Sequence, residues 1–285
     1  MMPLKTTSEA LSLGRGRLSG ANEQFISPDS DARSLLTFVT GRSSAELLTH
    51  PETLVSESEF GRYQNHLEEY ACGRPLQYIT GECEFMSLMF SVDENVLIPR
   101  PETELLVEKA ISLIAEKPAK VLEIGCGSGC IAVSVAKYCV NVEVTAVDIS
   151  RRALELAGRN AASNGVMIKF LESDLFGALS GETFDMIISN PPYIKTHDIA
   201  GLDKNVREYE PFTALDGGED GLCFYRQITE GVKSFLKTGG YLLFEIGHNQ
   251  GEDVINIMKN AKFEEISLMH DYAGFGRIVF GIKEN

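Results

Sequence analysis

The chain has 285 residues, a formal net charge of −15, 44% hydrophobic residues and 24% charged residues, with no low-complexity tract or internal repeat. This length allows one large domain and one small domain, and the acidic composition disfavours a partner held mainly by phosphate contacts, which require clustered Lys and Arg. The six cysteines form no C-x-x-C pair and the five histidines are scattered, so we expect reduced thiols, no disulfide framework and no metal site.

The first 81 residues are predicted to form a small helical domain. Ser27-Pro28-Asp29 is a helix start signal, and the apolar residues after it recur on one helix face until Gly41. A longer amphipathic stretch at 57–72 follows. Since no apolar run follows the basic residues near the N-terminus and no stretch is apolar enough to cross a bilayer, we expect a cytoplasmic protein without a signal peptide or a membrane partner. Nothing in the pattern indicates an obligate oligomer, so we expect a monomer.

Residues 82–99 are predicted to form a β-hairpin that links the helical domain to the rest of the chain. Apolar residues alternate there with polar ones, and Asp93-Glu94-Asn95 indicates a turn. A stiff connector with two prolines follows, and a helix is predicted at 102–116. Arg100 in this connector and Glu102 at the start of the helix are suited either to a site entrance or to a structural ion pair.

From residue 100 to the end, an α/β domain is predicted. Apolar runs typical of buried strands alternate with amphipathic helical stretches. The predicted strands are 121–124, 142–147, 168–171, 186–189, 241–246 and 276–281. The predicted helices are 131–138, 152–163, 222–236 and 252–261. This alternation is typical of a mostly parallel, doubly wound sheet with helices on both faces.

A glycine-rich loop, Gly125-Cys126-Gly127-Ser128-Gly129, connects the first strand of this domain to its helix. Glycines let a ligand approach the backbone, and the helix N-terminus offers unpaired N–H groups. Asp148 ends the next strand, where a carboxylate can hydrogen-bond both hydroxyls of a ribose. The G-x-G-x-G spacing differs from the G-x-G-x-x-G of dinucleotide enzymes, so it favours a nucleoside cofactor without a pyrophosphate, and S-adenosylmethionine fits. A glycine-rich turn without a ligand is the alternative.

Asp174 and Leu175 follow the third predicted strand of the domain. Asp174 is suited to accept a hydrogen bond from an adenine amino group, with Leu175 or Phe176 packed on the ring. An N-cap Asp with apolar core neighbours accounts for the same residues, and residue types alone leave both interpretations open.

Asn190-Pro191-Pro192-Tyr193 follows the fourth predicted strand. Two prolines remove two backbone donors and fix two φ angles, so the carbonyl groups face outward without competing N–H groups. The Asn190 side chain adds an acceptor oxygen and Tyr193 adds a flat wall, a combination that suits a planar –NH2 group. Asn-Pro and Pro-Pro are also common in turns, so the segment alone predicts either a site or a turn.

The glycine loop, Asp148 and the N-P-P-Y segment together resemble a class I S-adenosylmethionine-dependent methyltransferase that modifies a planar amide or exocyclic amino nitrogen. The flanking sequences GRPLQYITG at 73–81, VLIPRPETE at 96–104 and ALDGGEDGL at 214–222 resemble the PrmC/HemK family of peptide chain release factor N5-glutamine methyltransferases. Family members often have Thr at the position of Cys126.

The resemblance implies a seven-stranded methyltransferase domain at 100–285, a β-hairpin linker at 82–99 and a helical domain at 1–81 that recognises the release factor. The implied reaction moves a methyl group from S-adenosyl-L-methionine to the glutamine of a Gly-Gly-Gln loop. We assign cofactor binding to Gly125, Cys126, Gly127, Ser128, Gly129, Asp148, Asp174, Leu175 and Asn190. Catalysis and substrate binding are assigned to Asn190, Pro191, Pro192 and Tyr193, with no metal.

Our mechanistic hypothesis is that the Asn190 side-chain oxygen and the Pro191 carbonyl accept the two substrate amide hydrogens, while Tyr193 packs against the glutamine side chain. The main alternative is an N6-adenine methyltransferase acting on DNA or RNA, which shares N-P-P-Y but needs a basic groove. A dinucleotide oxidoreductase leaves N-P-P-Y unexplained, and a non-catalytic binding module leaves Asp148 and Asn190 unexplained. Two acidic segments each have two interpretations. Residues 208–210 either face a partner or are solvated, and residues 216–221 form either a flap or a plain surface loop.

Overall fold

The computed structural model describes residues 5–20, 27–115 and 117–284, which fall into two compact units. The first unit comprises the chain up to Gly81 together with Lys204–Tyr209, and the second comprises Glu82–Asp203 and the chain from Glu210 onward. Within the described residues, no helix is both long enough and apolar enough to cross a membrane.

The first unit is a helical bundle with its own apolar core. Its elements are β1 (Lys5–Thr6), α1 (Thr7–Ser19), α2 (Pro28–Thr40), α3 (Ser44–Thr49), β2 (Leu54–Val55), α4 (Glu57–Ala71) and α5 (Leu76–Thr80). Helix α2 begins at a proline, whose fixed φ suits a first turn, and ends at Gly41 in the left-handed conformation with φ 67°. The buried Tyr63 donates a 3.1 Å hydrogen bond to the carbonyl of Ala32, which ties α4 to α2.

The second unit alternates strands and helices, as the pattern predicts. The elements up to the fourth strand of its large sheet are β3 (Glu82–Phe85), β4 (Leu88–Ser91), α6 (Thr103–Ile114), β5 (Ala119–Ile124), α7 (Cys130–Tyr138), β6 (Val142–Asp148), α8 (Arg151–Ser163), β7 (Lys169–Glu172) and β8 (Phe184–Ser189). After the short helix α9 (Lys204–Arg207) of the first unit come α10 (Phe212–Leu215), α11 (Cys223–Phe235), β9 (Leu236–Glu245), α12 (Gly251–Asn260), β10 (Phe263–His270) and β11 (Gly276–Lys283). Strand β10 was not among the predicted strands.

Seven strands form one sheet in the order β10-β11-β9-β8-β5-β6-β7. The five strands from β9 to β7 are parallel, and β11 is antiparallel to both of its neighbours. Because β5 lies between β6 and β8, the connections around it diverge, and the crevice at the carboxyl ends of β5 and β8 is a topological switch point. The predicted doubly wound sheet is confirmed, and this crevice is where such sheets bind ligands.

Apolar side chains cover both faces of the sheet. Residues of α6, α7 and α8 pack on one face, and residues of α11 and α12 pack on the other. In β5, Val121 belongs to the first of these cores, while Leu122 and Ile124 belong to the second. Since strand side chains alternate between faces, Glu123 lies on the same face as Val121, beneath α7.

The hairpin of β3 and β4 is held on α8. The turn between its two strands lies at Met86 and Ser87, both with positive φ (51° and 56°). The turn predicted at 93–95 therefore follows the hairpin and does not close it. The side chain of Asn160 accepts from the backbone N–H of Ser91 at 2.8 Å and donates to the carbonyl of Ser91 at 3.0 Å. It also donates to the carbonyl of Ser128 at 2.9 Å, so one buried amide joins the hairpin to the glycine loop.

Candidate active site

The glycine loop after β5 takes a conformation that requires glycine. Gly125, Gly127 and Gly129 have φ values of 73°, 53° and 77°, in the left-handed region that other residues rarely adopt. A Cβ at Gly129 would also lie 2.9 Å from the Cβ of Ala157 in α8. The loop is thereby packed tightly against α8, and the two earlier glycines leave open space above the backbone.

Asp148 at the end of β6 fixes this loop. One carboxylate oxygen accepts the backbone N–H of Gly127 at 2.9 Å, and the other accepts the N–H of Ser150 at 2.8 Å. Burial raises the pKa of Asp148, and these backbone hydrogen bonds act in the opposite direction. Each oxygen keeps a second lone pair, so the carboxylate can still accept hydrogen bonds from a ligand.

A cavity of about 510 Å³ opens at the switch point. Of the predicted site residues, those that line it are Gly125, Cys126, Gly127, Ser128, Asp148, Asp174, Leu175, Asn190, Pro191 and Pro192. Gly129 packs instead against Ala157, and Tyr193 packs against the core on the α11 and α12 face. The structure thus brings the residues of four separate sequence segments to one cavity.

In the segment after β7, Leu175 and Phe176 have different surroundings, although the sequence alone made either one a candidate to pack on the adenine ring. Asp174 is exposed at the cavity, and Leu175 lines it with a left-handed φ of 47°. Phe176 stacks on Phe235 with ring centroids 4.9 Å apart. No helix begins at Asp174 in the described chain. Leu175 is therefore the residue placed to contact a ligand, and Phe176 is a core residue.

Asn190 lies directly after β8, beside the end of β5. Ser189 before it donates a 2.8 Å hydrogen bond to the carbonyl of Ile124, which fixes the two strand ends together. The Asn190 amide nitrogen donates to the hydroxyl oxygen of Thr103, at the start of α6, at 3.4 Å. This bond engages the nitrogen of the amide and leaves its oxygen available to a substrate.

The buried side chain of Gln250 holds the end of the N-P-P-Y segment. Its amide nitrogen donates to the carbonyl of Tyr193 at 3.0 Å and to that of Gly221 at 3.1 Å, and its oxygen accepts the N–H of Gly247 at 2.9 Å. These three hydrogen bonds of one amide connect three loops at the carboxyl edge of the sheet.

Burial raises the pKa of Tyr193 to about 12, so the phenol is neutral.

The loop at 216–221 is bonded to the chain that follows N-P-P-Y. Gly217 donates its N–H to the carbonyl of Ile194 at 2.8 Å, and Gly218 accepts from the N–H of Thr196 at 3.0 Å. A Cβ at Gly217 would come within 2.7 Å of the Cα of Tyr193. The loop is thereby tied to the chain after N-P-P-Y, its Asp216 lines the cavity and its Glu219 and Asp220 are exposed; the flap and the plain surface loop both stay predictions.

Arg100 forms an ion pair, but not with Glu102. Its Nη2 atom lies 2.6 and 2.8 Å from the two carboxylate oxygens of Glu210, whose side chain is only 1% exposed. Arg100 also lines the cavity. Burial raises the pKa of Glu210, and Arg100 opposes this shift. The acidic run at 208–210 therefore ends in a buried, paired carboxylate, which is neither a solvated residue nor one that faces a partner.

The comparisons with known proteins agree with this geometry. The family model of the PrmC N-terminal domain matches residues 9–81, and that of the methyltransferase small domain matches residues 101–205. The chain is 38% identical to the release factor glutamine methyltransferase of Clostridium acetobutylicum, over 93% of this chain and 94% of that protein. The chain belongs to the release factor glutamine methyltransferase family. It is also 41% identical to the Geobacter sulfurreducens member, over 87% of both chains.

A solved methyltransferase from Pyrococcus furiosus has a similar fold, with a TM-score of 0.53 and 17% identity over 78% of this chain and 100% of that one. At this identity the likeness concerns the fold alone. The resemblance to the PrmC/HemK family and the class I methyltransferase fold are confirmed.

Glu123 is a member of the site that the sequence reasoning did not single out. It lines the cavity and is only 1% exposed. One oxygen accepts the backbone N–H of Ala132 at 2.8 Å, and burial raises its pKa well above the ordinary range. A buried carboxylate of this kind favours a cationic ligand group beside it. The available signal is its position in the sequence, two residues before the first glycine of the loop.

Proposed function

We propose that this protein transfers the methyl group of S-adenosyl-L-methionine to the N5 amide nitrogen of the glutamine in the Gly-Gly-Gln motif of peptide chain release factors. The observation that carries the proposal is the position of Asn190. Its amide nitrogen donates to Thr103, which leaves the oxygen to accept from a substrate, and Asn190 lines the same cavity as the glycine loop.

The residues of the cavity fit S-adenosyl-L-methionine. When bound, this cofactor supplies an electrophilic methyl group on a sulfonium. Asp148 has lone pairs left for the ribose hydroxyls, and we assign Asp174 and Leu175, which line the cavity, to the adenine amino group and ring. The buried carboxylate of Glu123 suits the ammonium group of the methionine moiety, and the open space above Gly125 and Gly127 accommodates close approach.

The substrate amide nitrogen is a weak nucleophile because its lone pair is delocalised, so the main task of the protein is placement. The Asn190 oxygen and the Pro191 carbonyl accept the two amide hydrogens and hold the nitrogen in line for transfer. Orientation of this kind contributes up to about 7–11 kcal/mol. Pro192 removes a competing N–H. We assign the exposed part of the half-buried Tyr193 ring, whose remainder packs on the α11 and α12 core, to contact with the glutamine side chain and exclusion of water. The proton becomes acidic as the methyl group is transferred, so no dedicated base is required.

We assign recognition of the release factor to residues 1–81, linkage to 82–99 and methyl transfer to 100–285. The separate apolar core of the first unit supports its role as a domain. We further propose that the protein acts in the cytoplasm as a monomer, on a protein and not on a nucleic acid. The net charge of −15 supports the last point, because phosphate binding needs clustered positive charge.

The test is methyl transfer from labelled S-adenosylmethionine to a purified release factor. A factor whose Gly-Gly-Gln is changed to Gly-Gly-Ala is the matched control, and bulk DNA and RNA are the competing substrates. Label on the unchanged factor alone supports the proposal. Label on nucleic acid would favour an adenine methyltransferase, and label on the Gly-Gly-Ala factor would place the reaction on another residue.

A further inference from the structure

Asn190 is the first of three neighbouring polar side chains, of which Asn190 is half-buried and the other two are buried. Its amide nitrogen donates to Thr103, which is 2% exposed. The Thr103 hydroxyl lies beside the carboxylate of Glu245, the last residue of β9, and acts to lower the pKa of this 3% exposed side chain. Elements far apart in the sequence, β8, α6 and β9, therefore meet at the amide that faces the substrate.

Glu245 has few partners for a buried carboxylate. Its Oε2 atom is buried without a hydrogen bond in the described structure, and burial raises its pKa to about 7, against the effect of Thr103. The charged and titratable groups around it are Arg277, Arg100, Glu102, Tyr193, Tyr225 and Cys130. An unpaired buried polar oxygen is costly, so a role in the site would account for its retention.

We propose that Thr103 and Glu245 are positioning residues that set which end of the Asn190 amide faces the substrate. An asparagine amide fits most pockets in two orientations, related by exchange of its oxygen and nitrogen. The wrong orientation would direct N–H groups at the amide hydrogens of the substrate. This inference rests on the proposed function, because it concerns how the same asparagine accepts the substrate amide.

The ionised state of Glu245 is what selects the orientation. A carboxylate only accepts hydrogen bonds, so the Thr103 hydroxyl proton points to Glu245 and its oxygen accepts from the Asn190 nitrogen. Once Glu245 is protonated, it can donate to Thr103, and the Thr103 proton is then free to turn to the Asn190 oxygen. The productive orientation is therefore favoured above the pKa of Glu245 and is lost as the pH falls through it.

Kinetics of methyl transfer test this chain of contacts. Thr103→Val keeps the shape but removes the hydroxyl, and we expect kcat to fall at least about tenfold while the Kd of S-adenosylmethionine is unchanged. Thr103→Ser restores the hydroxyl and recovers most of the turnover. Glu245→Gln removes the acid limb of the kcat–pH profile near pH 7, whereas Glu252→Gln, at an exposed site in α12, keeps it. An unchanged kcat in Thr103→Val, or an unchanged acid limb in Glu245→Gln, would overturn the inference.

A second measurement does not depend on the methylation reaction. The side-chain ¹⁵N–¹H₂ signals of Asn190, assigned by their loss in Asn190→Ala, should shift with pH with a midpoint near 7 in the unchanged protein and stay constant in Glu245→Gln. Signals that do not titrate in the unchanged protein would refute the role of Glu245, even in a protein that methylates release factors. Signals that titrate as expected, in a protein that labels no release factor, would retain the orientation switch and reject only the proposed substrate.

Discussion

Replacing Gln250 by leucine should separate the support of the N-P-P-Y segment from cofactor binding. Leucine has a similar volume, so the change removes three hydrogen bonds, to Tyr193, Gly221 and Gly247, and a longer 3.5 Å contact from the Tyr225 hydroxyl, without opening a large cavity. At about 1 kcal/mol for each bond, the free energy of unfolding should fall by about 3 kcal/mol. Because the carbonyl of Tyr193 loses its anchor, kcat should also fall, while the Kd of S-adenosylmethionine changes little.

The assay is urea unfolding followed by far-ultraviolet circular dichroism, together with kcat and cofactor affinity. Asn249→Leu is the matched control, since it makes the same class of change one residue earlier at an exposed position. If the two variants unfolded at the same urea concentration, the three bonds would contribute nothing and the reasoning would be refuted. A kcat unchanged in Gln250→Leu would show that the site does not depend on this anchor.

Three further substitutions test other parts of the site. Asp148→Asn should raise the Kd of S-adenosylmethionine about tenfold or more in calorimetric titration, because an oxygen that accepts a backbone N–H becomes an –NH2 group. An unchanged Kd would place the ribose elsewhere. Asn190→Ala should lower kcat by about 100-fold or more with cofactor affinity within about twofold, and an equal turnover would contradict its role. Gly129→Ala should destabilise by about 1–3 kcal/mol because of its φ of 77° and the 2.9 Å approach to Ala157. Gly158→Ala is the control for urea unfolding, since nothing lies near its Cβ position within α8 and alanine favours a helix there.

The sequence predicts the parallel part of the sheet well because those strands are buried on both faces and appear as continuous apolar runs. Strand β10 lacks such a run, since Phe263 is its only buried residue. Its pairing with β11 is also irregular after Glu264, and Glu265 has a φ of 49°. An edge strand with a bulge has neither strict alternation nor a continuous apolar stretch, so local pattern gave no signal for it.

In the site too, some residues are predictable from local sequence and others are not. The glycine loop, Asp148 and Asn190 are predictable because each follows a recognisable strand and acts through its own local geometry. Thr103, Gln250 and the partner of Arg100 act through contacts between residues far apart in the chain: Thr103 and Asn190 are 87 positions apart, and Arg100 and Glu210 are 110 apart. No local spacing encodes such pairs, so they become visible only once the strands are ordered in the sheet.

The first compact unit includes Lys204–Tyr209, residues made long after the rest of it. Lys204 donates a 2.9 Å hydrogen bond to the carbonyl of Cys72 near the end of α4, and its stem lies 3.4 Å from the Cβ position of Gly73. During synthesis, α9 therefore joins this unit only after more than a hundred residues beyond Gly81 have been made. A fragment ending at Gly81 would keep the apolar core of this unit but lack α9, so only an exchange that carries both pieces preserves the Lys204 contact.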